Sequence, residues 1–473
     1  MPKQRKKAGR SSISRKQQIQ QLLDNPPSHE TIRSEVQLAV DDGNIQAIRE
    51  LTAGDQAKLL EIIDQVSACR HDPPLRGRLS PSVTSTLIPL NLKNHEQAAP
   101  TVLVRDTKFV TALGNISSDL LLVPSSTGAL RGLQKRGGIA IASGGTTDIW
   151  RGSWNNQQVA LKAFRVYRVQ DLREAKRILW KLVPIWKRLV HENVLSFHGV
   201  DMSIFQLALV YDWGYNGNII QYLESHPGGS RSSLVSIHPN LVYSVSSDQF
   251  LKLLQVTKGL QYLHSLDIIH GNLKGVSEPA PPQVRLELTD SIQANVLISK
   301  SGKAQICDYG LSPIISNPIF TIARISGVPG SFRWLAPEII DPPNNKPRTA
   351  SKPADIFAFA MLAMEVFTGE VPFGNMTNMS VVLHIVTGKR PARPQDAGQF
   401  GLTTEMWKFI EKCWSANPNK RPTTYEVVTK WEGIINWYVL SCSDAHKPTY
   451  CVQRQPAFWV ESFRTSVPVY GTL

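Results

Sequence analysis

The chain has 473 residues, 42% of them hydrophobic, and a formal net charge of +14, which predicts two or three basic domains with a true core. Its five cysteines are odd in number and unpaired in spacing, which excludes a disulfide framework and indicates a reducing compartment. No apolar signal segment opens the chain, and its most apolar helical run, Ile356 to Phe367, is too short for a bilayer, so neither secretion nor a membrane partner is expected.

Residues 1–27 are polar and basic, with Lys3, Arg5, Lys6, Lys7, Arg10, Arg15 and Lys16 in one run. The expected state is a solvated, disordered arm. No aromatic residues are interleaved with these charges, so nucleic acid is not an expected partner. A cytoplasmic location is expected, and the arm leaves a nuclear one open. Residues 28–69 predict a helical regulatory region. EVQLAV, IQAIREL and KLLEIIDQV space apolar residues three and four apart, and Asp41-Asp42-Gly43-Asn44 and Ala53-Gly54-Asp55 supply breaks and caps. Residues 70–136 read as linker, rich in Pro, Ser and Arg as far as Pro100, with Thr101 to Leu133 given no element.

From Gly137 the pattern shortens. GGIAIASGG, TTDIWRGSW and QQVALKAF predict three consecutive strands. A helix from Gln170 to Leu182 follows, and Pro184 is expected to break or kink it. FQLALVYDW, Phe205 to Trp213, predicts a buried strand, and NGNIIQYL opens a helical portion. The stretch from Ile268 to Gly310 reads IIHGNLKG, a foreign-looking segment, then ANVLISKSGKAQICDYG. Setting aside Val276 to Gln293 joins it as HGNLKGANVLI followed by ICDYG. Further on come Ala336-Pro337-Glu338, the apolar helix DIFAFAMLAMEVFTG opened by Asp355, and NPNKRPT with Arg421. Residues 435–473 form a tail of Cys, Pro and aromatic residues with no clear period.

In this order and spacing the motifs resemble those of the eukaryotic protein kinases, whose catalytic loop usually reads H-R-D-L-K-x-x-N and whose metal loop reads D-F-G. The resemblance covers residues 137–434. It is similar to the tyrosine-kinase-like group, in the form expanded in mushroom-forming fungi. It implies an α+β, bilobal protein-kinase fold with a β-rich N-lobe and a helical C-lobe, here with an N-terminal helical extension. It implies ATP and Mg2+ as cofactors, and a protein substrate or signalling partner. A polyanionic nucleotide also accounts for the basic balance. By the same resemblance, Lys162 of VALK meets the α/β-phosphates and Ala160 covers the adenine ring. Ala142, Gly144 and Thr147 take the three glycine positions of the phosphate loop and Ile149 its valine, with Ser143 and Gly145 beside them. Thr147 is expected to crowd the loop tip. Tyr211 guards the back pocket, Asp212, Trp213 and Gly214 meet the adenine edge through backbone groups, and Leu297 completes the nucleotide contacts. Asn295 and Asp308 are the metal residues, and Asn272 and Lys274 occupy the catalytic positions. Asp355 would anchor the catalytic-loop backbone, and Arg421 would pair with a buried Glu338. Lys274 is typical of Ser/Thr kinases whereas RWLAPE looks tyrosine-kinase-like, so the hydroxyl class stays open.

The departures decide the functional reading. Asn272 stands where the family has its aspartate base, and Gly271 where it has arginine. The glutamate that should pair with the strand lysine falls near Leu182. Glu174 lies about two helical turns earlier, so either it swings in or the ion pair is missing. An amide orients a hydroxyl but takes no proton, and loss of general-base help costs about 10²–10⁴-fold. A pseudokinase that binds ATP and acts in intracellular signalling is therefore the favoured reading. The alternative is an active Ser/Thr or Tyr kinase. Val276 to Gln293 begins Val-Ser, codable as GTGAGT, and ends in Gln, codable as CAG. Leu288-Thr289-Asp290 can encode CTGAC, so the segment looks like a retained, translated intron. It is expected to leave the site as an exposed loop. Val235 to Gln249, between two helices, has the same ends.

Overall fold

The computed structural model describes residues 14–24, 45–68, 101–128, 130–143, 147–166, 168–226, 244–275, 294–311, 332–343, 349–374, 376–395 and 402–443. The basic run before Ser14, the EVQLAV segment, Gly144, Gly145 and the whole of 276–293 lie outside these residues. Expectations placed on them have no structural counterpart here.

Among the described residues the chain opens with four helices, α1 Arg15–Asp24, α2 Ile45–Arg49, α3 Ala53–Ala68 and α4 Thr101–Leu120. Ile19, Leu23, Ile48, Leu51, Leu60 and Ile63 pack with Leu113 and Ile116 of α4 into a separate small core. Thr101 to Leu133, where the sequence pattern indicates no element, thus contains a 20-residue helix, α4.

A twisted antiparallel sheet follows. Its strands are β1 Gln134–Arg136, β2 Ala142–Ser143, β3 Thr147–Trp154, β4 Gln157–Phe164, β5 Phe197–Asp201 and β6 Ala208–Asp212. Their order is β1-β3-β4-β6-β5, with β2 also pairing with β3. The first expected strand, Gly137 to Gly145, is corrected by this pairing. Among its described residues only Ala142 and Ser143 form strand, opposite Ile149 and Asp148, while β1 pairs further along β3. The β3–β4 hairpin turns on Asn155 and Asn156, at φ +49° and +61°. Asparagine tolerates that left-handed pair, and the resulting turn matches the twist of the two strands. Helix α5, Val169–Trp186, crosses between the β4 and β5 ends. It runs through Pro184 and ends two residues later, so the expected break does not occur. A proline in a last turn forfeits one hydrogen bond only, and Arg188 Nη1 donates to its carbonyl at 2.7 Å.

The second lobe is helical. It holds α6 Ile219–Ser225, α7 Ser244–Ser265, the hairpin β7 Val296–Ile298 and β8 Ala304–Ile306, the one-turn α8 Pro337–Ile340, α9 Lys352–Thr368, α10 Asn378–Val386, α11 Thr404–Cys413 and α12 Thr424–Ser443. Helix α9 is buried from Ala354 to Phe367 and forms the centre of the lobe. Ser351 caps it by accepting from the Ala354 amide. One continuous core runs from Phe164 and Trp180 beside the sheet to Phe359 and Trp431 below. Helix α7 begins at Ser244, so the end of the second suspected insertion is helical, and Gln249 is buried with its Nε2 donating to Val366 O at 3.0 Å. Helix α12 carries the domain nine residues past Ile434, into the expected tail. This is an α+β fold with a β-rich N-lobe, a helical C-lobe and an N-terminal helical extension.

Candidate active site

Strand alternation sets the upper wall. Side chains of successive residues point to opposite faces. Val159 and Leu161 of β4 therefore enter an outer cluster with Val210, while Ala160 and Lys162 face the other way. Lys162 lies between Ile149 on β3 and Leu209 on β6, and its ammonium pairs with the carboxylate of Asp308. The side chains of this pair are 14% and 17% exposed, so the pair is accessible from a cleft without lying on the surface. Asp308 has φ +61°. The left-handed region costs a non-glycine residue about 1–2 kcal/mol, and such strain concentrates at functional positions.

The lower wall is the loop from His270 to Gly275. Asp355, 1% exposed, organises it. Its Oδ2 accepts from the His270 amide and from His264 Nε2, each at 2.8 Å, and its Oδ1 from the Gly271 amide at 2.7 Å. Gly271 sits at φ +73°, where a glycine is unstrained. With no side chain of its own it lines a small cavity alongside Asn272, Leu273, Trp334 and Ala354. The Asn272 amide donates to His270 Nδ1 at 3.3 Å, and Asn295 Nδ2 donates to Asn272 O. Burial holds the His270 imidazole below its ordinary pKa, partly offset by Asp355 and Asp308. The Asn295 amide donates to Lys274 O at 3.0 Å, and Cys307 N to Asn295 O at 3.0 Å. These bonds tie the two halves of the loop to each other and to the Asp308 turn, across residues 276–293. The Lys274 side chain is buried rather than presented to solvent.

At the nucleotide edge, Tyr211 is buried edge-on to Phe197, with ring centroids 5.3 Å apart. Burial pushes its phenol well above its usual pKa, helped by Tyr309 and Asp308. The Asp212 amide donates to Ser196 O, so this one amide is already committed within the sheet. The Asp212 carboxylate accepts from His198 Nε2 at 2.7 Å. Trp213 carries the Arg151 guanidinium 5.1 Å from its ring centre, joining β3 to the connection between lobes. Leu297 on β7 is half-buried next to Gly214, where any Cβ would stand 3.1 Å from a Leu297 methyl. Ala142 pairs with Ile149. Thr147, the first residue of β3, is buried opposite Phe164 of β4, and the loop tip it was expected to crowd lies outside the described residues.

Helix α5 brings no carboxylate to Lys162. Glu174 pairs instead with Arg177, one turn on, at 3.5 Å. Leu182 lies 3.9 Å from where a Gly310 Cβ would stand, and Trp186 packs edge-on against Tyr309 at 6.1 Å. Of the two alternatives for the ion pair, the helix lacks it. Two further participants carry no motif in the sequence. Trp186 backs the Asp308 turn, and Glu365 Oε2 accepts from the Gly275 amide and from Trp334 Nε1, each at 3.0 Å. Glu365 had a signal: it is the single carboxylate between Ile356 and Phe367, and a buried carboxylate requires partners. Arg421 forms a bidentate pair with Glu338 at 2.6 and 2.8 Å. Glu338 is half-buried, not buried as expected, while the arginine side chain is wholly enclosed.

A profile described as Protein tyrosine and serine/threonine kinase matches residues 138–276 and 290–431, most of the chain. The chain belongs to that family. Among similar proteins, the serine/threonine-protein kinase STY17 of Arabidopsis thaliana is 28% identical over 61% of this chain and 42% of its own length. The serine/threonine/tyrosine-protein kinase HT1 of the same plant is 25% identical over 62% of this chain and 65% of its own. The RGS domain-containing serine/threonine-protein kinase A of Dictyostelium discoideum is 26% identical over 62% and 22%. The chain therefore spans less than two thirds of the length of each of these relatives. The family match omits residues 277–289, between the two halves of the catalytic loop.

Proposed function

We propose that this kinase domain binds Mg-ATP and transfers phosphate poorly, acting in signalling mainly as a regulated binding domain. Asn272 carries the reading. The donor set suits the nucleotide: the Lys162 ammonium, the Asp308 carboxylate and the Asn295 amide converge on one loop system. Magnesium takes one or two carboxylates together with phosphate oxygens. Bound Mg-ATP supplies the phosphoryl group and a counter-charge for its oxygens. Lys162 would hold phosphate, Asp308 and Asn295 the metal, and Ala160, Tyr211, Trp213 and Leu297 would shape the base site. Asn272 can orient a substrate hydroxyl through its amide oxygen. It cannot accept the proton that the hydroxyl sheds as its oxygen bonds to phosphorus. The active Ser/Thr or Tyr kinase is the competing outcome.

Mg-ATP at about 100 times its dissociation constant should stabilise the fold by roughly 2.7 kcal/mol, read as a thermal shift that disappears in Asp308→Ala. Asn272→Asp, in a chain lacking residues 276–293, should raise turnover about 10²-fold or more. Turnover by the unaltered chain at about 1–100 per second would refute the reading.

A further inference from the structure

Helix α5 is held from both sides. Leu182 and Trp186 on one side touch the Asp308–Gly310 turn. On the other side it meets the N-terminal helices. Gly114 of α4 approaches so closely that a Cβ there would stand 2.2 Å from Lys181 O. Real Cβ atoms do not come that near a carbonyl oxygen, so this crossing is open only to glycine. The same helix inserts Leu113 and Ile116 into the N-terminal core, which makes α4 a rigid intermediary. A second tether holds the α5 C-terminus. Arg188 Nη1 donates to Pro184 O, and Nη2 reaches Asp64 Oδ1 on α3 at 2.6 Å, with both side chains largely enclosed. The ordering continues behind Asp64. Its Oδ2 accepts from Ser126 Oγ at 2.6 Å, and Glu61 Oε2 accepts from Ser125 Oγ at 2.8 Å. The linker leading into the sheet is thus stitched to α3.

Kinases of this family usually fix the corresponding helix through a strand-lysine to helix-glutamate pair. Here Lys162 pairs with Asp308, and Glu174 with Arg177. We propose that the N-terminal helices substitute for that missing pair: the α4 contact at Gly114 and the Asp64–Arg188 bridge position α5, and through Leu182 and Trp186 the metal loop. The unit formed by residues 45–68 and 101–128 is a positioning partner for the active site, built into the same chain. This inference does not depend on phosphate transfer.

Hydrogen exchange in the full-length chain tests it. Gly114→Leu should make amides of residues 169–186 exchange at least about tenfold faster, while those of buried α9 keep their protection. Asp64→Lys and Arg188→Glu should each have the same effect, and combining them should restore protection. Should Gly114→Leu also strip protection from α9, the charge pair decides alone. Unchanged α5 protection in both single charge variants overturns the proposal, as does failure of the double variant to recover. A faster α5 accompanied by a smaller Mg-ATP thermal shift links the clamp to the site. A faster α5 in the variants, when the unaltered chain itself shows no Mg-ATP shift, leaves the clamp standing and refutes the nucleotide reading.

Discussion

Arg421 has a side chain wholly enclosed and bonded twice to Glu338, with a further 2.9 Å bond to Pro353 O. Removing one member of such a pair leaves an uncompensated charge in low dielectric. Glu338→Ala should therefore lower unfolding free energy by about 3–5 kcal/mol, measurable by urea denaturation. The Asp212–His198 contact behaves differently because the carboxylate is 41% exposed. The hydrogen bond from His198 holds the Asp212 carboxyl below its ordinary value. A depressed native value means the unfolded chain takes up the proton first on acidification. The stabilisation is then complete above the ordinary carboxylate range and lost as pH falls through the depressed value. The melting-temperature gap between the native chain and Asp212→Asn should accordingly close on that descent, and a gap constant across acid pH would contradict the assignment. At this scale much of the site is legible in the sequence, because residues such as Lys162, Asp308 and Asp355 carry charges in fixed motif positions. Trp186 is not, since an aromatic residue at a helix end gives no sign of which loop it will back.

The neck of the 276–293 segment has a simple geometry. Lys274 O accepts from the Asn295 amide at 3.0 Å. With the segment removed, those two residues would be three apart, and the same bond would close an ordinary β-turn through Gly275 and Ala294. Gly275 is fixed there, since a Cβ would fall 2.7 Å from Glu365 Oε2. Deleting residues 276–293 should therefore preserve the fold and leave the melting temperature unchanged or a few degrees higher, given the small entropic effect of loop length. A loss of cooperative unfolding would show that the segment contributes to the core. Elements were readable where one face alone is buried or where a whole helix is apolar, as in α5 and α9. Helix α4 was not, because neighbouring residues serve different partners: Leu113 and Ile116 enter the N-terminal core while Gly114 lies against Lys181 of α5. Strand β1 was not either. Its three residues, Gln134, Lys135 and Arg136, are all exposed and owe their conformation to pairing with β3 rather than to any apolar alternation.

Across the whole molecule, length and charge predicted a multi-part chain but gave no sign that the N-terminal helices and the kinase domain would meet along one helix. That meeting joins two apolar cores of unequal size. The small one gathers residues of α1 to α4, and the large one runs through both lobes. Small cores bury a lower fraction of their chain and are the more marginal. Scanning calorimetry should resolve two heat-absorption peaks, with a calorimetric enthalpy exceeding the van't Hoff value, as expected when a chain does not melt all-or-none. The first peak belongs to the N-terminal helices. Between the two peaks lies a temperature interval in which the kinase domain remains folded while α5 has lost its outer support. Asp64–Arg188 and the Gly114 crossing thus make the arrangement of the active site a function of warmth before the domain itself begins to melt.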